Sequence, residues 1–253
     1  MRRSAGFPKR TSCSLRPLRE LKGKRKRKMN KKIVCFGDSV TQGCFEILKE
    51  NGAYELIVDS SSCYGEKLIE KLKTRYANTR FELINSGVSG DGLIEGIARA
   101  DRDVFAHNPD ILIFCFMLND ISRRDVDWYG KHLEFLFDRF KKAGITTLVM
   151  SSNMVNKYVA PDTPEIHIKT AENLAECQNS GVLDAYAEKL KEKTEKYGFY
   201  YADAYAAWKK LDRYGIDTTM LLCNRLNHPA RKMHGLFADI LFDCMEKNCL
   251  IEE

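Results

Sequence analysis

Ile33-Val34-Cys35-Phe36-Gly37-Asp38-Ser39-Val40-Thr41-Gln42-Gly43 is an apolar run that breaks at Gly-Asp-Ser, with a second glycine four residues after the serine. The run reads as a short buried strand that stops, turns tightly at Gly37 and places Ser39 where a helix can begin. In an open α/β sheet, that point lies at the carboxyl ends of the strands, where ligands bind. A hydroxyl there has backbone N–H groups beside it and suits a nucleophile whose substrate becomes an oxyanion. The competing account is a strand-ending turn in which Asp38 or Ser39 only caps a helix.

Along the rest of the chain, short apolar runs alternate with amphipathic stretches, the pattern of βαβ units on a parallel sheet. Strands are expected at Ile33–Phe36, Phe81–Asn85, Ile111–Phe116, Thr146–Met150 and Phe199–Ala202. Their nearly continuous apolar character suits strands covered on both faces. Helical patterns fall at Tyr64–Tyr76, Leu93–Ala106, Trp128–Ala143, Val182–Tyr197 and Arg231–Lys247. Gly144 and Gly198 follow two of them as C-terminal stops. Two long connections, Cys44–Cys63 and Ser151–Gly181, leave strand ends and are placed to wall a cleft.

The chain has 253 residues, 44% of them hydrophobic, enough for one packed core. Its net charge of +6 is unevenly spread. Residues 1–28 hold twelve Lys or Arg against the single acid Glu20, a surplus of eleven, so the rest of the chain is mildly acidic. This divides the chain into a basic extension over 1–30, expected to be disordered, and one domain over 31–253. The extension suits non-specific contact with polyanions; no specific nucleic-acid partner is predicted. Met29 directly follows the basic run, precedes the first strand and reads as an alternative translation start. No apolar run reaches the ~20 residues of a membrane span. Nine scattered cysteines, without a Cys-x-x-Cys pair, point to reduced thiols and a cytoplasmic setting.

Further features fall at strand exits. Asn85-Ser86-Gly87-Val88-Ser89-Gly90-Asp91-Gly92 can turn backbone N–H groups into a cleft. Met117-Leu118-Asn119-Asp120 puts an amide and a carboxylate where the third run stops, and Asn227-His228-Pro229 holds a histidine at the entrance to the last helix. Asp38 and Asp120 read mainly as carboxylates that accept backbone N–H bonds and shape their loops. His107, His132, His167 and His234 carry no supporting pattern, His234 being a packing or surface residue. Asn153, Asn156, Tyr158 and Trp128 are candidate sugar contacts.

Together, Gly37-Asp38-Ser39 with Gly43, Asn85-x-Gly87-x-Ser89-Gly90, Asn119-Asp120 and His228-Pro229 resemble the four ordered blocks of the SGNH (GDSL) hydrolase family. The resemblance implies a three-layer α/β sandwich with a flavodoxin-like parallel sheet of about five strands. It implies ester or thioester hydrolysis of a small-molecule substrate, with neither metal nor cofactor. By that resemblance Ser39 is the nucleophile and His228 the general base, and the oxyanion hole is formed by Ser39 and Gly90 N–H with the Asn119 side chain. The family places an aspartate three residues before the histidine, where this chain has Arg225. The orienting role then falls to a backbone carbonyl there, or to Asp217 or Asp203 from elsewhere, or the site is impaired. Met117 stands where the family has glycine and is expected to narrow the cleft floor.

Three rival classes compete with this one. An α/β-hydrolase elbow, Gly-x-Ser-x-Gly, fails at Thr41. Gly90-Asp91-Gly92-x-x-x-Gly96 misses the dinucleotide fingerprint by one residue, leaving a flavin or nucleotide module as the lesser alternative. A catalytically impaired binding protein stays open because of Arg225. The sequence leaves the oligomeric state open.

Overall fold

The computed structural model describes residues 29–48, 54–122 and 125–251. The basic stretch 1–28 lies outside them. The described chain runs β1 (Met29–Gly37), α1 (Ser39–Gln42), β2 (Cys44–Leu48), β3 (Tyr54–Val58), α2 (Tyr64–Arg75), β4 (Thr79–Gly87), α3 (Leu93–Asp103) and β5 (Ile111–Cys115). It continues through α4 (Val126–Lys142), β6 (Thr146–Met150), α5 (Ile168–Asn179), α6 (Val182–Tyr197), β7 (Tyr200–Ala202), α7 (Ala204–Arg213) and α8 (Met233–Lys247).

Five strands form one parallel sheet in the order β4-β1-β5-β6-β7. They are the five apolar runs of the sequence. All of Ile111–Cys115 is buried, as a central strand covered on both faces must be. The chain steps from β1 outward to β4, then back past β1 to β5, so a topological switch point lies between β1 and β5. Right-handed crossovers then put α2 on one face and α3, α4 and α6 on the other. Helix α8 packs on α2, and α4 packs on α6. This is the three-layer, flavodoxin-like architecture.

Register decides where the site falls. Gly37 is level with Gly87 on one side and Cys115 on the other. Ser39, Gly90 and Asn119 therefore leave neighbouring strands within four residues of a common line. Glycine is required at Gly87, where a Cβ would lie 2.1 Å from the Gln42 nitrogen. The strand end thus lets α1 close over it.

Three elements were not expected. The connection Cys44–Cys63 holds an antiparallel hairpin, β2–β3, separate from the main sheet. Helix α5 lies within Ser151–Gly181, and α7 follows the last strand. Among the described residues, no helix is long and apolar enough to cross a membrane.

Candidate active site

Ser39 is the first residue of the one-turn α1. Asp38 caps that turn, its Oδ1 accepting from Val40 N at 2.9 Å, and left-handed Gly43 closes it with its N–H on Ser39 O. Serine is held where the first-turn N–H groups have no helical partner. Asp38 is fully buried, and desolvation pushes its carboxyl up to about 6, against the pull of the Val40 bond and nearby His228.

His228 lies 189 residues further on, on a turn built by Asn224. Asn224 Oδ1 accepts from Leu226 N, Asn227 N and His228 N, each at 3.0 Å. Leu222 bridges Pro229, and Cys223 N donates to His228 O at 2.8 Å. So fixed, His228 Nε2 lies 2.8 Å from Ser39 Oγ. Ser39 is 4% and His228 7% exposed.

The other ring nitrogen meets Glu46, which lies in none of the four sequence blocks. His228 Nδ1 donates to Glu46 Oε2 at 2.6 Å. A carboxylate only accepts, so Nδ1 carries the proton and Nε2 is left to accept from the Ser39 hydroxyl. Glu46 sits on β2 and is anchored by its N–H on Cys223 Sγ at 3.4 Å. The Cys223 thiol donates back to Glu46 Oε2 at 3.8 Å, and burial pushes that thiol up to about 11.

The expectation for the orienting group is therefore corrected. Arg225 has a left-handed backbone, φ 59°, inside the Asn224 turn. Its side chain runs away to Asp162 at 3.0 Å and to Leu222 O at 2.7 Å. Asp217 is held by the Tyr158 hydroxyl at 2.6 Å and by Thr219 N. Asp203 caps α7 through Ala206 N and takes the Ser151 hydroxyl. The acid absent three residues before His228 has its place taken by Glu46, from the other end of the chain. A signal for it existed: two β-prone runs, Cys44–Leu48 and Tyr54–Val58, flank Asn51-Gly52, a hairpin signature.

The Gly90 loop is pinned at several points. Val88 N donates to Gly37 O at 3.1 Å, Ser89 N to Gln42 Oε1 at 2.9 Å, and Asn85 Nδ2 to Thr41 O at 2.9 Å. Gly90 takes φ +84°, a conformation that favours glycine, and is solvent-exposed. Asn119 Nδ2 donates to Asp91 O at 2.8 Å with one of its two amide protons. Asp120 receives Leu93 N on both carboxylate oxygens, the loop-shaping role expected of it. With Gly92 N on Glu95 Oε2, the first amides of α3 already hold carboxylates, which disfavours the phosphate-binding alternative.

Other candidates are structural. Asn153 and Asn156 are fully buried, their amide groups donating to backbone carbonyls, so neither faces a sugar. Met117 is buried in the core cluster rather than exposed on a cleft floor. His234 is a buried packing residue accepting from Tyr64 N, and burial lowers its pKa to about 3. Among the described residues, no cluster of His, Cys, Asp and Glu could hold a metal ion.

A Ser–His–Glu chain of hydrogen bonds at the switch point of a parallel sheet has the geometry for acyl transfer, and the family to which the sequence belongs makes this a hydrolase acting on ester bonds. The chain belongs to the GDSL-like lipase/acylhydrolase family, whose sequence model matches residues 33–241. Solved structures of like fold include the acetyl xylan esterase AlAXEase, at 20% identity and TM-score 0.63, covering 84% of this chain and 98% of that one. The acetylxylan esterase Axe2 from Geobacillus stearothermophilus has 18% identity and TM-score 0.63, with 90% and 97% covered. A putative GDSL-like lipase from Parabacteroides merdae has 16% identity and TM-score 0.64, with 90% and 100% covered. No curated protein matches the chain.

Proposed function

We propose that the protein is a serine hydrolase that cleaves small acyl esters, acetyl groups on a carbohydrate foremost, through an acyl-enzyme on Ser39. The observation that carries this reading is the unbroken relay from Ser39 Oγ to His228 Nε2 at 2.8 Å and from His228 Nδ1 to Glu46 at 2.6 Å. His228 takes the proton as Ser39 Oγ attacks the ester carbonyl, and Glu46 stabilises the imidazolium. Ser39 N–H, Gly90 N–H and Asn119 Nδ2 donate to the tetrahedral oxyanion. The ester C–O bond then breaks and His228 protonates the departing alcohol oxygen. Water, deprotonated by His228, attacks the acyl carbonyl and releases the acid and free Ser39. The choice of acetylated carbohydrate is supported by the names of similarly folded esterases, which give acetylated xylan or mannan. The test is acetate release from acetylated xylooligosaccharides and from acetyl, butyryl and octanoyl 4-nitrophenyl esters. Activity that declines with chain length and vanishes in Ser39→Ala supports the reading. A preference for octanoyl over acetyl overturns the acyl assignment, and turnover by Ser39→Ala overturns the mechanism.

A further inference from the structure

One side chain ties the end of β1, two residues before Ser39, to both ends of the Gly90 loop. Arg99, on α3, carries a guanidinium with five N–H donors in a fixed plane. Nε donates to Asp91 Oδ2 at 2.7 Å, Nη1 to both Ser86 O and Asp103 Oδ2 at 2.8 Å, and Nη2 to Gly37 O at 2.8 Å. Its plane is covered by the ring of Phe36, with the guanidinium carbon 4.6 Å from the centroid, and by that of Phe116 at 5.6 Å. The side chain is 9% exposed.

The partners are not arbitrary. Gly37 O ends β1 two residues before Ser39 and also receives Val88 N from the Gly90 loop. Ser86 O lies near the end of β4, at the start of that loop. Asp91 directly follows Gly90, and its carbonyl receives the Asn119 amide. We propose that Arg99 is a positioning residue for the oxyanion hole: its one planar fork sets the spacing between the segments that carry Ser39 and Gly90, and through Asp91 it fixes the carbonyl on which the Asn119 amide is seated. A buried ion cluster is a weak source of net stability, but bidentate, directional bonds fix geometry well. Displacing a catalytic group by ~1 Å can cost about 10²-fold in rate. A lysine keeps the charge but cannot hold the two strand ends and Asp91 at once.

This inference rests on the serine-hydrolase reading, and the experiment separates the two. Arg99→Lys, Asp91→Asn, Ser39→Ala and the remote core variant Leu190→Ala are compared below their melting temperatures. The readouts are kcat and KM on 4-nitrophenyl acetate and the inhibition constant of a methyl trifluoromethyl ketone, whose adduct with Ser39 carries an oxyanion. Arg99→Lys is expected to lose about 10- to 100-fold in kcat with KM within about threefold, and to lose ketone affinity in parallel with kcat/KM. Leu190→Ala should lose melting temperature and keep kcat. The proposal is overturned if Arg99→Lys keeps kcat within about twofold, or loses kcat while ketone affinity is unchanged. Should Arg99→Lys not fold, Asp91→Asn is judged by the same criteria. Turnover by Ser39→Ala means that the hydrolase reading has failed. A dead Ser39→Ala beside a silent Arg99→Lys means that only the positioning role has.

Discussion

Glu46→Gln tests the least anticipated part of the site. The substitution keeps the shape of the side chain and one oxygen able to accept from His228 Nδ1, so the loss is chiefly one of charge. During attack on the ester, His228 becomes an imidazolium with Glu46 2.6 Å from its Nδ1. With charge centres about 4 Å apart and an effective dielectric of about 20, the pair is worth about 4 kcal/mol. That energy appears only as positive charge develops, so it falls on kcat rather than on substrate binding. At 1.36 kcal/mol per decade, kcat should drop roughly 10³-fold, with KM within about threefold. The assay is steady-state hydrolysis of 4-nitrophenyl acetate, with Asp217→Asn, at the acid bonded to Tyr158, as the comparison. A Glu46→Gln enzyme that keeps kcat within about tenfold of the parent would refute the electrostatic argument. So would an Asp217→Asn variant that loses as much.

Two further outcomes follow from the geometry. Asp38 has a folded pKa raised from 3.8 to about 6 by burial. Its folded state therefore binds the proton more tightly, and stability falls as pH rises through that window by about 3 kcal/mol. Asp38→Asn should raise the melting temperature at pH 7.5 but not at pH 4, and an equal shift at both would show that Asp38 titrates normally. Asn224→Ala removes the oxygen that accepts three backbone N–H groups of the histidine turn. It should cost about 1–3 kcal/mol of stability by thermal melting and lower kcat, since His228 loses its seat; unchanged kcat in that variant would show that the turn is held by other contacts.

The main sheet was legible because its strands are short apolar runs with both faces covered, Ile111–Cys115 most plainly. Site residues at strand exits were legible for a related reason: in a parallel sheet, sequence position after a strand nearly fixes position in space. Glu46 was not legible in that way. It reaches His228 across 182 residues from a hairpin outside the main sheet. An expectation tied to the position three residues before the histidine looked in the wrong place, at an arginine whose backbone conformation serves a turn. Helix α5 was hidden because its buried positions, Ala171, Leu174, Ala175 and Gln178, form a weak apolar stripe. Asn153 and Asn156 invited a ligand reading because sequence does not show burial, and both donate to main-chain carbonyls.

The most direct measurement is peptide mapping after reaction with a fluorophosphonate, which needs an activated serine and an oxyanion site but no knowledge of the natural ester. The account predicts a single phosphonylated residue, Ser39, in the parent protein, and loss of that label in His228→Ala. Failure of the parent to label, or a label on another residue, would contradict it.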